Sequence, residues 1–283
     1  MLNNAPAAAI DRFSASGSSE AEAEAVVEIT LARTQAELLA AFRLLYLSYV
    51  RAGLAAENTL ELRLTPFHPL STTEVFVAKC RGEVISTMTM VGDGALGLPM
   101  DSIYGDELRA LKRSGLRVAE MGCFADRRTS PARFKEVFGQ LASLVVQVAR
   151  VRNIHALVAA THPKHARFYA RWLGFEYFGE LKQCPYAAGN PAVALLLDFE
   201  AIRNTVYYER LFGNLVPVEQ LLPTWWNPAT SDLLRRLVEP GATAPPCGTP
   251  GPAPAAAWQT AAHAARRVSA LWSRSMISRN RLK

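Results

Sequence analysis

A few ionisable side chains occur where the surrounding pattern gives them chemistry to do. Glu120 stands inside the apolar run Leu116–Phe124, in the local sequence Ala119-Glu-Met-Gly-Cys123. Such a run reads as a strand. A carboxylate there is costly to desolvate, and desolvation raises its pKa, so it suits a base that takes a proton from an amine, directly or through water. A place at the sheet edge, or an arginine partner, is the structural alternative. His162 and His165, in His162-Pro-Lys-His165, flank a strand-to-helix turn and titrate near neutrality. A histidine before proline can also simply cap a helix. His68, in Thr65-Pro-Phe-His-Pro-Leu70, lies in an irregular stretch that could cover a substrate. Cys123 and Cys184 are candidate nucleophiles, set against the common use of a single cysteine as a small buried hydrophobe. The four cysteines show no C-x-x-C spacing, so no metal site is expected.

The elements that must position these residues are legible as periodicities. Val26 to Leu31 alternates like a strand, and Thr34-Gln-Ala-Glu37 is a capping box opening a helix through Leu38, Phe42, Leu45 and Tyr49 to a stop near Gly53. Residues 54–72 are irregular. A hairpin follows, 74–80 and 83–91, turning at Arg81-Gly82. A short helix with Leu108 and Leu111 ends at Gly115, and the Glu120 strand comes next. Ser130-Pro131 predicts the start of a long helix with the stripe Phe134, Phe138, Leu141, Val145 and Val148. A strand over 154–160, a helix over 164–173 halted by Gly174, and strands over 175–182 and 192–199 complete an α/β fold, a mixed sheet with helices on its faces.

Outside this body, residues 1–24 read as a disordered leader without the basic start and apolar middle of a signal peptide. Residues 25–200 form the main domain and 201–239 a helical extension. Residues 240–257 hold six of the 17 prolines and read as a linker. Residues 258–283 read as a basic amphipathic helix with six basic residues and no acid. Removing those six leaves 25 basic against 25 acidic residues, so the net charge of +6 belongs to the tail. A nucleic-acid-binding body would show a basic stripe of its own, and none is seen. No apolar run reaches the roughly 18 residues that span a bilayer. The expectation is a cytoplasmic protein whose tail either touches the inner face of the membrane or is solvated.

The segment Phe168-Tyr-Ala-Arg-Trp-Leu-Gly-Phe175 resembles the fourth-helix motif of GNAT acyltransferases, with one residue more than usual between Tyr169 and Gly174. Gly97-Leu-Pro-Met-Asp101, Tyr104, Glu107-Leu108, Ala119-Glu120, His162-Pro-Lys-His165 and Phe168-Tyr169 resemble the bacterial long-chain N-acyl amino acid synthases, relatives of the GNAT enzymes and of the acyl-homoserine-lactone synthases. The resemblance covers roughly 28–212. It implies a splayed sheet, with a donor arm between strands 116–124 and 154–160. It implies an acyl chain passed from the phosphopantetheine of acyl carrier protein, or from acyl-CoA, to an amino acid, tyrosine in the best-known members, with no bound cofactor. Glu120, His162 and His165 are catalytic candidates on their own chemistry, and by the resemblance Tyr169 joins them as the acid that protonates the departing thiolate. Phe124, Arg128, Arg133 and Phe168 would bind the donor, and His68, Met100 and Tyr104 would line the acceptor pocket. The chain departs from the pattern twice. Arg128-Thr-Ser-Pro-Ala-Arg133 lacks the glycines of a pyrophosphate loop, which favours a carrier protein over coenzyme A. Glu120-Met-Gly-Cys123 keeps the glutamate but not the arginine of the lactone synthases. Lactone synthesis, acetylation of a small amine, and an inactive module that binds an acyl carrier are the alternatives.

Overall fold

Local sequence signals close most of the elements in the computed structural model, which describes residues 26–127 and 131–238. In chain order these are β1 Val27–Leu31, α1 Gln35–Arg51, β2 Thr73–Cys80, β3 Glu83–Gly92, α2 Asp101–Arg113, β4 Val118–Asp126 and α3 Pro131–Val151. There follow β5 Ala156–Thr161, α4 Pro163–Leu173, β6 Glu176–Tyr177, β7 Lys182–Cys184, β8 Asn190–Asp198, α5 Val206–Phe212 and α6 Pro228–Val238. Thr34 and Glu37 form the expected capping box, with reciprocal bonds of 3.2 and 3.0 Å. The β2–β3 turn puts both Arg81 (φ 54°) and Gly82 (φ 82°) in the left-handed region, the twist that a two-residue hairpin favours. Gly174 (φ 83°) ends α4 as predicted.

The strands form one sheet in the order β1-β2-β3-β4-β5-β8-β6, with β7 also on β8. Every pairing is antiparallel except β4 with β5. This is the GNAT-type mixed sheet, with helices on both faces. On one face α3 covers the largest core, built on Phe138, Leu141, Val145 and Val148 of its stripe with Met88, Leu157 and Leu195 of the sheet. On the other face two separate clusters form. One holds α1, with Phe42 and Leu45 against Val75, Val77 and Ala125. The other holds α2, with Tyr104, Leu108 and Leu111 against Val118, Val158 and Leu196.

Two expected elements are broken. The strand predicted over 175–182 divides into β6 and β7, because the chain dips onto Tyr104 between them. A Cβ on Gly179 would stand 2.9 Å from that ring, and the Tyr104 hydroxyl donates toward the carbonyls of Glu180 and Ala192, each at 2.8 Å. The extension beyond Phe199 is α5, a 3₁₀ turn at Val218–Leu221 and α6, interrupted by Pro217 and Pro223. It is no loose appendage. Leu211, Phe212 and Leu221 enter the α3 core, Leu234 enters the α1 cluster, and the Gln147 side chain binds the chain at Asn214 and Val216. No described helix is long and apolar enough to cross a membrane. The leader, the Ser130 cap, the linker and the basic tail helix lie outside the described residues.

Candidate active site

The site begins where the one parallel ladder stops. β4 and β5 pair at Val118↔Ala156, Ala119↔Leu157 and Glu120↔Val158, and at no later position, although the strands continue to Asp126 and Thr161. The cause is local. Between Gly122, opposite Thr89, and Ala125, opposite Thr87, β4 carries one residue more than β3. That bulge centres on Cys123, whose φ of 48° turns the strand. Peptide groups facing the gap lose their strand partner there, and an amide-bearing arm can restore it.

Glu120 sits at the point of divergence, 8% exposed. Burial raises its carboxyl to about 8, offset in part by the Met100 N–H, which donates to Oε2 at 2.7 Å, and raised further by the nearby Asp101. The arginine partner of the structural alternative is absent: among the described residues no cation forms an ion pair with Glu120. The carboxyl thus changes charge in a range where it can exchange a proton with an ammonium.

Two residues on, Gly122 has nothing within 4 Å of where a Cβ would stand. This open space lies between the α1 and α2 clusters. On its α1 side Cys123 packs against the α1 cluster, as do Tyr49, Leu62 and Leu64. Burial raises the Cys123 thiol to about 11, Arg63 counteracts this, and the Glu120 charge adds to it. Burial likewise raises Cys184, which also feels Glu120 and Arg63. Both thiols are therefore protonated at neutral pH and poor nucleophiles. His68 is buried against Phe42, at 4.9 Å between ring centroids, with Nδ1 accepting the Thr65 N–H at 2.9 Å. Burial lowers it to about 4, so it is neutral, and its Nε2 is enclosed without a partner.

The α3 face carries the other predicted group. Phe124 meets Phe138 at 5.0 Å and Phe134 at 5.8 Å, while Phe168 meets Phe138 at 5.1 Å and Trp172 at 6.3 Å. Tyr169 stands edge-on to Phe138 at 5.4 Å and to Phe175 at 5.6 Å. Burial raises its phenol well above the ordinary value, so it holds its proton. In the first turn of α3, Arg133 has its Nη2 buried without a hydrogen-bond partner. Arg128 lies outside the described residues.

Other candidates take structural positions. Met100 offers its backbone N–H to Glu120, but its side chain is 1% exposed in the α2 cluster. Tyr104 is fully buried with its hydroxyl engaged, so it supports the wall of the site from within the core. His162 caps α4, its Nδ1 accepting the Lys164 N–H at 3.2 Å, and burial lowers its pKa. His165 lies one turn further along α4, exposed, at 6.3 Å between ring centroids from His162. Tyr49 and Arg63 escaped sequence reasoning. Tyr49 passed as one more position on an apolar helix stripe, and Arg63 falls in a stretch without periodicity. Three surface clefts of about 420, 610 and 570 Å3 lie elsewhere, none lined by Glu120, Gly122 or Tyr169.

Comparison with known proteins gives the family and the fold. The family model for the N-acyl amino acid synthase FeeM matches residues 40–198. The structure of FeeM, an N-acyl amino acid synthase from uncultured soil microbes, is 28% identical, covering 65% of this chain and 96% of that one, with a TM-score of 0.56. The AHL synthase LasI is 17% identical over 68% of this chain and 96% of its own, with a TM-score of 0.51, a likeness of fold. A probable acetyltransferase from Staphylococcus epidermidis ATCC 12228 is 15% identical over 61% of this chain and 99% of its own, with a TM-score of 0.42. No curated protein sequence matches.

Proposed function

Because this chain belongs to the N-acyl amino acid synthase FeeM family, and is thus an acyltransferase, we propose that it moves a long-chain acyl group from the phosphopantetheine of acyl carrier protein to the amino group of an amino acid. The observation that carries this reading is the parting of β4 from β5 at Glu120, which joins a gap for the donor's amide arm to a buried carboxyl of pKa about 8.

In this reading the acceptor's ammonium gives a proton to the Glu120 carboxylate. The freed amine attacks the thioester carbonyl, the C–N bond forms, and the C–S bond breaks as the tetrahedral intermediate collapses. The protonated Tyr169 phenol supplies the proton that the departing thiolate takes up, and the second proton shed by the attacking nitrogen as the amide forms restores the phenol. The remaining work is to hold amine and carbonyl together and keep water out. Burial of Glu120 argues against an inactive carrier-binding module, in which that carboxyl would face solvent.

Two features favour a carrier-protein donor. Pro131 at the first position of α3 has no N–H to offer a pyrophosphate. The unpartnered Nη2 of Arg133 is a donor for a single phosphate. The basic tail adds a second proposal, peripheral contact with an anionic membrane surface.

The test is direct. Purified protein is given long-chain acyl carrier protein, or the same acyl group on coenzyme A, with tyrosine and the other amino acids in turn. The expected result is an N-acyl amino acid by mass spectrometry, formed with a kcat/KM at least tenfold higher from the carrier protein. Equal values would remove the donor assignment, and transfer to no amino acid would remove the function.

A further inference from the structure

At the end of α1, over the Tyr49 ring, lies a cation without a counter-ion. Arg63 is fixed against α1 by its own N–H, which bonds the Phe42 carbonyl at 3.1 Å. Its guanidinium lies over the Tyr49 ring, 4.5 Å from the centroid, and Nη2 donates to the Tyr186 carbonyl. Nε is buried with no acceptor. Lys79 is matched by Glu37 at 2.7 Å, Lys182 by Glu107 at 2.6 Å and Arg152 by Glu74, whereas Arg133, on the α3 face, shares the unpartnered state. Among the described residues no carboxylate comes within ion-pair distance of Arg63.

A guanidinium half withdrawn from water, braced on an aromatic face and holding an unused N–H, is prepared for an anion that arrives later. Its position selects the anion. Arg63 lies over Tyr49, and Tyr49 and Cys123 border the same α1 cluster at the bulge three residues beyond Glu120, so the cation and the carboxyl flank one stretch of β4, and the charges of both reach the Cys123 and Cys184 thiols. The donor's phosphate would instead belong near Arg133, in the first turn of α3 on the far face. We propose that Arg63 receives the α-carboxylate of the acceptor, which turns the acceptor's amino group toward Glu120. This rests on the amino acid N-acyltransferase reading and deepens it. Acceptor selection would then lie in the guanidinium, with Tyr49 as its shelf.

The experiment compares tyrosine with tyramine, the same amine without the carboxylate, at saturating acyl carrier protein. The wild-type enzyme should prefer tyrosine in kcat/KM by on the order of 10²-fold, the scale of a charge-assisted bond. Arg63→Met should erase that preference by raising the tyrosine KM, leaving tyramine kinetics and the donor KM within about threefold of the parent. Arg63→Lys should regain part of it. A wild type that acylates both amines equally would overturn the inference while leaving the N-acyltransferase intact. So would equal losses on both amines, or a loss confined to the donor KM. A wild type that acylates neither tyrosine nor any other amino acid would bring down the underlying reading instead.

Discussion

On the α3 face of the parted strands, Phe124, Phe134, Phe138, Phe168 and Tyr169 fill the space with ring centroids 5.0–6.4 Å apart. On the opposite face the same stretch of β4 presents Glu120, a glycine with open space above it, and a thiol beside Tyr49 and Arg63. The bulge at Cys123 divides the two. It breaks the alternation of β4, so that Cys123 and Ala125 both join the α1 cluster while Phe124 alone turns toward α3. One inserted residue therefore separates a packed wall, fit to grip an apolar chain or thioester, from a polar recess fit for an amine. Packing density stabilises the first. The second gives up stability, because a buried carboxyl and a half-buried guanidinium are held there without an ion-pair partner.

The largest effect should come from the carboxyl. Glu120→Gln retains an acceptor for the Met100 N–H, so shape and substrate binding should survive. The rate with acyl carrier protein and amino acid near pH 7 should fall about 10²–10⁴-fold, the usual span for general-base catalysis. The deficit should persist up to about pH 8, where Glu120 itself ionises, and shrink above it, because more of the amine then arrives neutral. A substituted enzyme with near-normal rates at neutral pH would make Glu120 part of the scaffold, and His165 or His162 the next base to examine.

The same substitution should increase stability, and the pH dependence fixes the sign. In the unfolded chain Glu120 titrates near 4.5, whereas in the fold burial moves it to about 8. Below pH 4.5 both states are protonated and the wild type gives up nothing. Between the two values the unfolded state loses its proton and the fold retains it, so wild-type stability falls as pH rises through this window. Glutamine does not titrate. Chemical denaturation should therefore show near-equal stabilities at pH 4.5 and a Glu120→Gln advantage of roughly 4 kcal/mol by pH 8. An advantage independent of pH would mean that the side chain is solvated and the recess is not.

Much of the fold was legible because it is written in local signals. The Thr34–Glu37 box, the Arg81-Gly82 turn, the α3 stripe and Gly174 each declare an element within a few residues. The breaks were not legible, because their causes lie far away in sequence. Gly179 yields to Tyr104, some 75 residues earlier, and the extension folds back because Gln147 and the α3 core receive it. Of the site, Glu120 could be singled out because a glutamate in an apolar strand is conspicuous, and Tyr169 through a motif. Tyr104 and Met100 matched family positions yet turned out to brace the site from inside the core. Arg63 carried no pattern, and Tyr49 only that of a helix stripe. Only the approach of an irregular loop to the end of α1 makes them neighbours.

Two glycines provide the finest test of the comparison between packed wall and open recess. A Cβ on Gly174 would lie 2.7 Å from the Tyr207 ring, at a φ of 83° that side chains rarely adopt. Gly174→Ala should therefore cost on the order of 1–3 kcal/mol, by strain and by contact. A Cβ on Gly122 would meet nothing within 4 Å, so Gly122→Ala should leave the melting temperature nearly unchanged, within about 1 kcal/mol of the parent in stability. Its consequence should be kinetic and small: a methyl group in the acceptor's space should raise the amino acid KM a few-fold without altering the donor KM. Gly122→Leu should exaggerate that selectivity for the acceptor, again with little loss of stability, because the side chain fills space reserved for substrate. Steady-state kinetics with each substrate varied in turn, beside thermal melts of all three variants, would decide it. If Gly122→Leu unfolds the protein as readily as Gly174→Ala does, the space above Gly122 closes in solution, and the two faces of β4 are more alike than they look.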